Sequence, residues 1–330
     1  MTAIYMTDFL GTPIWMWAIF FALVLLLLAF DLGVLNKKDH EIGVSESLKL
    51  SAFYVVVAIL FGGWVWYERG AQAGAEYFTG YVIEKVLAMD NIFVIAMIFS
   101  FLAIPRVYQH RVLFWGILGV IVLRGIMIAL GAALVNNFSW VLYIFAAFLI
   151  LTGVKMLVFA DNEAPDLNQN PLLKFLRRHF NIEDRLHGNS FFIKKADEKT
   201  GKMVNYMTPL FVALILVEVA DVVFAVDSIP AIFAITTDTF IIYTSNVFAI
   251  LGLRALYFAL SAMVERFKFL KYAISLLLIF IGSKIFLADL FGLEKFPPAL
   301  SLGVTFGILG TGVFYSLWMT RSGQGVPDKK

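Results

Sequence analysis

The sequence predicts an all-α polytopic membrane protein: about nine transmembrane helices, N-terminus out and C-terminus in, around two inverted three-helix repeats. Three observations predict it. Hydrophobic residues make up 61% of the 330 and charged residues only 15%, where a soluble globule averages roughly 25% charged. Apolar runs of about 20 residues recur along the whole chain. One carboxylate-bearing pattern also occurs twice, in segments that an odd number of crossings turns upside down.

The runs lie near 13–35, 48–67, 79–103, 111–134, 138–159, 208–236, 240–264, 271–291 and 298–319. They are continuous where barrel strands would alternate, which disfavours a β-barrel. The first is too long for a cleaved signal peptide and no small-residue cleavage site follows it. Lysine and arginine set the orientation. With the N-terminus outside, 19 of the 26 fall in inner segments, eight of them between 161 and 207, and only Arg69 and Lys295 fall outside. The chain then divides into two N-terminal helices (1–78), a first repeat (79–159), a cytoplasmic loop (160–207), a second repeat (208–291), and a ninth helix with its tail (292–330).

Within the loop, Pro171-Leu-Leu-Lys-Phe-Leu-Arg-Arg-His-Phe180 reads as a short basic amphipathic helix at the membrane surface. The segments from Ser190 and from Lys202 flank Asp197-Glu-Lys-Thr-Gly201 and read as a hairpin. A plain linker between the two halves is favoured over a regulatory domain. The tail from Ser322 reads as frayed.

The repeat rests on several echoes. Glu84-Lys-Val-Leu-Ala-Met-Asp90-Asn91-Ile answers Asp221-Val-Val-Phe-Ala-Val-Asp227-Ser228-Ile. Leu123-Arg124-Gly125 answers Leu253-Arg254-Ala255, and Gly153-Val-Lys155 answers Gly282-Ser-Lys284. Inverted repeats that meet at the bilayer midplane are an architecture of secondary transporters.

A carboxylate in hydrocarbon costs several kcal/mol or so unless a partner, a cation or water receives it. Asp31, Glu84, Asp90, Glu218, Asp221 and Asp227 fall within the runs. Asp31 is at a helix end and is expected to be solvated. Glu218 and Asp221 share a face at i, i+3. Pro230 cannot donate to the Val226 carbonyl, which frees an oxygen beside Asp227. Glu84 and Asp90, six apart, point about 120° from each other, whereas Glu84 with Asn91, and Asp221 with Ser228, share a face. The candidate metal ligands are therefore Asp90, Asn91, Glu218, Asp221, Asp227 and Ser228. Glu84 is placed at the outer entrance, with Arg124 and Arg254 behind the carboxylates. The alternative is that the two arginines neutralise the acids as buried pairs. Lys85, Lys155 and Lys284 are expected to snorkel from helix ends, so five deep acids would face two deep arginines.

All four histidines fall in predicted cytoplasmic loops and there is no cysteine. That excludes disulfide, iron–sulfur and dithiol chemistry within the chain. An all-oxygen site suits manganese, magnesium or calcium. Met89 and Met97 read as packing residues, and Gly303-Val-Thr-Phe-Gly307 as a weak helix-contact motif. No protease motif and no nucleotide loop is present, so neither catalysis nor ATP-driven pumping is expected.

Tyr81-Val-Ile-Glu-Lys-Val-Leu-Ala-Met-Asp-Asn91, Val217-Glu-Val-Ala-Asp-Val-Val-Phe-Ala-Val-Asp-Ser-Ile-Pro-Ala231 and Thr244-Ser-Asn-Val-Phe-Ala-Ile-Leu-Gly-Leu-Arg254 resemble the signatures of the TerC family, and the likeness spans nearly the whole chain. The resemblance implies a bacterial inner-membrane protein linked to manganese export and alkaline-pH response, with historical labels of tellurium resistance and redox modulation. It also implies that Glu84, Asp90, Glu218, Asp221 and Asp227 form the metal path. A tellurite oxyanion would be repelled by so acidic an interior. The expected function is proton-coupled Mn²⁺ export, with no tightly bound cofactor, the divalent ion and lipid as partners, and no nucleic acid. The rivals are export of Ca²⁺ or H⁺/Na⁺, and a non-transporting scaffold that docks partners through the loop.

Overall fold

A computed structural model describes residues 8–31, 43–138, 140–158, 171–183, 185–196, 203–261, 270–292 and 298–321. The Asp197–Gly201 turn and the tail from Ser322 lie outside the described residues, as do the side chains of Asp90, Asp227 and Arg254.

A two-residue-arm hairpin, β1 (Asp8–Phe9) with β2 (Thr12–Pro13), leads into α1 (Ile14–Phe30). Then come α2 (Val44–Phe101), α3 (Arg106–Asn137), α4 (Val141–Val158), the short α5 (Pro171–His179), strands β3 (Phe192–Ala196) and β4 (Met203–Met207), and α6 (Pro209–Phe233). The chain continues through α7 (Thr239–Leu260), α8 (Leu270–Leu290) and α9 (Pro298–Arg321). Five helices among the described residues are long and apolar enough to cross a membrane: Val44–Ala88, Arg106–Val135, Val141–Val158, Pro209–Phe233 and Lys271–Leu290. Ile14–Phe30, Thr239–Leu253 and Gly303–Met319 are apolar but shorter. Leu60, Leu130 and Leu151 are each more than 60% exposed in mid-helix. In water such leucines would be an aggregation hazard; against acyl chains they are at home.

The sequence separates 48–67 from 79–103, and the structure shows how. α2 breaks at Gly70, whose φ of 89° is in the left-handed region that an L side chain resists. The second arm then folds back on the first: the Tyr77 hydroxyl donates to the Ala58 carbonyl at 3.1 Å, and the Phe61 and Tyr77 rings lie 5.8 Å apart. Beside the turn, Arg69 pairs with Asp238 at 2.7 Å and donates to Thr12. Asp238 in turn caps α7, accepting from the Phe240 and Ile241 amides. One carboxylate thus joins the α2 turn to the start of α7.

The helix partners exchange in the way the two echoes do. α2 packs on α7 and α3 on α6, while α4 packs on α8. A Cβ on Gly153 would lie 2.7 Å from the Ser275 carbonyl and 2.7 Å from Ile279. A Cβ on Gly282 would lie 2.5 Å from the Ala146 carbonyl and 2.8 Å from Ile150. The spacing that matches Gly153 with Gly282 also matches Ala146 with Ser275 and Ile150 with Ile279, so each glycine meets the counterpart of what the other meets. Absent side chains here let two backbones touch, the close approach that membrane helices use in place of a hydrophobic drive.

At the opposite end from the Gly70 turn, α5 presents Leu173 and Leu176 to the core and keeps Lys174, Arg177 and Arg178 exposed. This is the amphipathic helix read from the sequence. β3 and β4 pair antiparallel from Phe192↔Met207 to Ala196↔Met203, the hairpin expected there. It is fastened to α6 by the Thr208 hydroxyl, which donates to the Ser190 carbonyl. Lys195 donates to Glu183 at 3.1 Å and holds that carboxyl below its usual range.

Two lysines differ from expectation. Lys284 is 4% exposed and donates to Ser301 of α9 at 3.4 Å. The Lys85 ammonium reaches the Ala249 carbonyl of α7 at 3.2 Å. Neither snorkels, because each has a carbonyl or hydroxyl of a packed helix within reach; Lys155, with an open face, is exposed. Asp31, expected to be solvated, is 6% exposed.

Candidate functional site

Three helices bring the echoed residues together: the second arm of α2, then α3 and α6. Glu84 is 2% exposed and its Oε1 lies 2.7 Å from Arg124 Nη1. The same Nη1 donates to Ser228 Oγ at 2.7 Å, while Arg124 Nε is buried with no hydrogen-bonding partner. Asn91 Nδ2 donates to Asp221 Oδ1 at 3.3 Å, and Asp221 is 8% exposed. In terms of the echo, the first carboxylate of each motif meets the small polar residue of the other. Glu84 reaches Ser228 through the guanidinium, and Asp221 reaches Asn91 directly.

Two cavities flank this constellation. One, about 110 Å³, is lined by Glu84, Asn91, Arg124 and Ser228 with Leu87, Ala88, Met156, Phe224, Ile274 and Leu278. The other, about 30 Å³, is bordered by Asn91, Arg124 and Asp221 with Ala88, Ile95, Val120, Val217, Leu253 and Tyr257 among others. Ala88, Asn91 and Arg124 form their common wall. Glu84 and Asn91 line one cavity, as their seven-residue spacing requires. Farther along, the Tyr257 hydroxyl donates to Gln109 at 3.2 Å and its ring meets Phe99 edge-on at 5.8 Å.

The structure places the remaining candidates unevenly. Glu84 is inside the constellation and ion-paired, where the sequence reading put it at an outer entrance. Glu218 lines neither cavity: its carboxyl lies against Gly116 and Gly119 of α3, and its Oε2 is buried without a hydrogen-bonding partner. Asp90 and Asp227 belong to α2 and α6, two of these helices, and Arg254 to α7; their side chains are outside the described set. Among the described residues no group of three or more His, Asp or Glu is arranged to hold a metal ion. Besides the ion-paired Glu84, what is described supplies one carboxylate and one amide at Asp221 and Asn91, with a hydroxyl at Ser228; Asp90 and Asp227 are the sequence neighbours of the latter two. Oxygen donors of this kind suit a hard divalent cation.

Some polar groups went unread in the sequence. Glu76, 4% exposed, accepts from Gln72 at 3.0 Å. It borders a polar vestibule of about 520 Å³ at the Gly70 end, together with Thr236, Asp238 and Ile241. Asn246 is fully buried, and neither of its amide atoms has a hydrogen-bonding partner; the Tyr81 hydroxyl is likewise buried and unpaired. For Asn246 and Tyr81 the signal was an uncharged polar residue inside an apolar run, which is weak; Glu76 falls between the runs 48–67 and 79–103.

Known proteins resemble the chain over most of its length. The model of the integral membrane protein TerC family matches residues 69–324. An uncharacterized membrane protein of Rickettsia bellii is 48% identical over 301 residues, covering 91% of this chain and 96% of that protein. One from Myxococcus xanthus is 45% identical over 311 residues, 94% of each chain. A proposed membrane-bound redox modulator, Alx, from Salmonella typhi is 43% identical over 320 residues, 94% of this chain and 96% of its own. No solved structure matches the chain. With its motifs, its apolar helices and more than half its length matched, the chain belongs to the TerC family of integral membrane proteins.

Proposed function

We propose that this protein is a secondary transporter that exports Mn²⁺ from the cytoplasm across the bacterial inner membrane, coupled to protons. It crosses nine times, N-terminus out and C-terminus in, and its two three-helix repeats are inverted about the midplane. The ion is held by Asp221, Asp90 and Asp227, supplemented by Asn91, Ser228 and Glu218. Arg124, with Arg254 as its counterpart, positions the carboxylates and repels the ion once protons return. Mn²⁺ is the substrate, no resident cofactor takes part, and no bond is made or broken.

The single observation that carries this reading is the cross-repeat pairing of Glu84–Arg124–Ser228 and Asn91–Asp221 beside two internal cavities. Buried ionisable groups inside a membrane protein are a functional arrangement by default, and a site between repeats is where secondary transporters keep theirs. Arg124 is committed to Glu84, while Asp221 has a neutral amide for its hydrogen-bond partner. A guanidinium for every acid is therefore not the pattern here among the described residues. The name of the Salmonella relative suggests redox modulation, but a chain with no cysteine has no thiol chemistry to offer.

The test is Mn²⁺ flux into proteoliposomes across imposed pH gradients, comparing the native protein with Asp221→Asn. The expected result is pH-driven flux in the native protein and a loss of at least about tenfold in the variant. Absence of flux in both defeats the reading, and flux of Ca²⁺ or Na⁺ that Mn²⁺ does not compete with transfers it to another ion. An unchanged variant removes Asp221 from the path.

A further inference from the structure

The interface between the second arm of α2 and α7 holds polar groups that the proposed ion site does not use. The two helices run parallel there. Gly80 lies against Ser245, whose Oγ would be 3.0 Å from a Cβ at that position, and Lys85 Nζ reaches the Ala249 carbonyl. That register sets Tyr81 level with Asn246. Tyr81 is 6% exposed and Asn246 0%. The Tyr81 hydroxyl and both amide atoms of Asn246 are buried without a hydrogen-bonding partner in the protein. Orphaned polar groups are rare, and one phenol and one amide at a single level are expensive to keep dry.

Position along the helix adds the second argument. Tyr81 is five residues, about 7.5 Å along the axis, from Glu76, which borders the vestibule. It is three residues, about 4.5 Å, from Glu84 in the buried constellation. On α7, Asn246 is likewise five residues beyond Ile241, a wall of the same vestibule. The unpaired groups thus occupy the interval between the vestibule and the ion pair. The repeat makes the level recognisable as well. The spacing that matches Glu84 with Asp221 matches Tyr81 with Glu218, and the spacing that matches Arg124 with Arg254 matches Asn246 with Gly116. Glu218 and Gly116 do face each other across α6 and α3, 3.8 Å from the carboxyl Oε1 to a Cβ on the glycine.

We propose that Tyr81 and Asn246 bind water in the α2/α7 interface, forming the middle of a hydration line that joins the Glu76 vestibule to Glu84. Three hydrogen-bonding positions from a phenol and an amide match the roughly three bonds a buried water makes. The neutral phenol and amide offer no carboxylate to balance a divalent ion, which decides for water against metal. Glu84 and Arg124 close the line at its inner end, and Glu76 opens it at the other. The proposal rests on the transport reading for its purpose, the passage of protons on a route separate from the metal, but not for the existence of the water.

Hydroxyl-radical footprinting of the purified native protein reads the water directly, because radicals formed from bound water oxidise the side chain beside it. Tyr77, on the same helix, 0% exposed and bonded to Ala58, is the dry control, and Tyr67, 85% exposed, the wet one. Oxidation of Tyr81 is expected to be at least about fivefold faster than that of Tyr77 and to fall toward it in Asn246→Leu. Oxidation of Tyr81 no faster than Tyr77 overturns the proposal. In proteoliposomes, Tyr81→Phe and Asn246→Leu are expected to slow pH-driven Mn²⁺ flux about tenfold while equilibrium Mn²⁺ binding stays within about twofold, and Asn246→Ser restores the flux. An oxidised Tyr81 with flux unchanged in both variants reduces the water to a structural one and overturns the hydration line. If the native protein moves no Mn²⁺, the transport reading falls, and the footprint alone decides whether the water is there.

Discussion

Replacing Arg124 by Gln removes one charge of a buried pair and leaves the other. At 2.7 Å and an effective dielectric near 20, the gross attraction is about 6 kcal/mol. Part of that repays the desolvation of two side chains that are only 3% and 2% exposed. Breaking such a pair from one side is expected to cost about 3–5 kcal/mol, because Glu84 stays buried without its countercharge. The lost bond to Ser228 is part of the same cost, so the two are not added. Glu84→Gln is expected to cost a similar amount, since it leaves the buried Arg124 without its countercharge. The double variant Glu84→Gln, Arg124→Gln is expected to recover most of the loss, giving a coupling of about 2 kcal/mol or more between the sites. Reversible unfolding in detergent, or steric trapping in bicelles, reads these differences. Strictly additive single effects would refute the pairing, and an Arg124→Gln variant as stable as the native protein would refute the claim that the guanidinium is what keeps Glu84 buried.

Gly153→Ala and Gly282→Ala are expected to destabilise by similar amounts, about 1–3 kcal/mol each, because each new Cβ meets a backbone carbonyl of the partner helix. Gly307→Ala, with open space around it, stays within about 0.5 kcal/mol; thermal unfolding of the three variants checks both statements. Arg69→Ala is expected to cost about 1 kcal/mol, less at high salt, since its pair with Asp238 is about one quarter exposed. Asp238→Ala costs more, because it also uncaps α7. Lys195 depresses the Glu183 carboxyl, so the hairpin's gain from that contact is present above the unfolded carboxyl's pKa and is lost as pH falls through the lower folded value. Protease resistance of the 185–207 segment is expected to drop at acid pH in the native protein and to lose that dependence in Lys195→Met.

Much of the architecture was legible because lipid simplifies the code. An apolar run of about 20 residues has few options, and the helices fall where the runs lie. The 161–207 loop was legible for the opposite reason: Leu173 and Leu176 alternate with charges at helical spacing. Pairing was less legible. Spacing put Glu84 and Asn91 on one face, and both do line one cavity. Which arginine meets which acid, however, depends on the rotation of α3 against the second arm of α2, and no single-helix period carries that. The 120° between Glu84 and Asp90 led to an entrance role for Glu84, whereas a partner on α3 holds it inside. Lys284 is buried for a similar reason, because Ser301 sits a helix away. Asn246 shows the remaining limit: an uncharged amide carries no charge that demands a partner, yet unpaired at zero exposure it is the more informative residue of its helix.

Diffraction from crystals grown with Mn²⁺, collected at a wavelength where manganese scatters anomalously, puts the account to its most direct trial. It predicts one strong anomalous peak between the second arm of α2 and α6, within ligand distance of the Asp221 carboxylate and beside Asn91, absent from Asp221→Asn. A peak confined to the Glu76 vestibule, or a native protein saturated with Mn²⁺ that shows no peak between those helices, contradicts it.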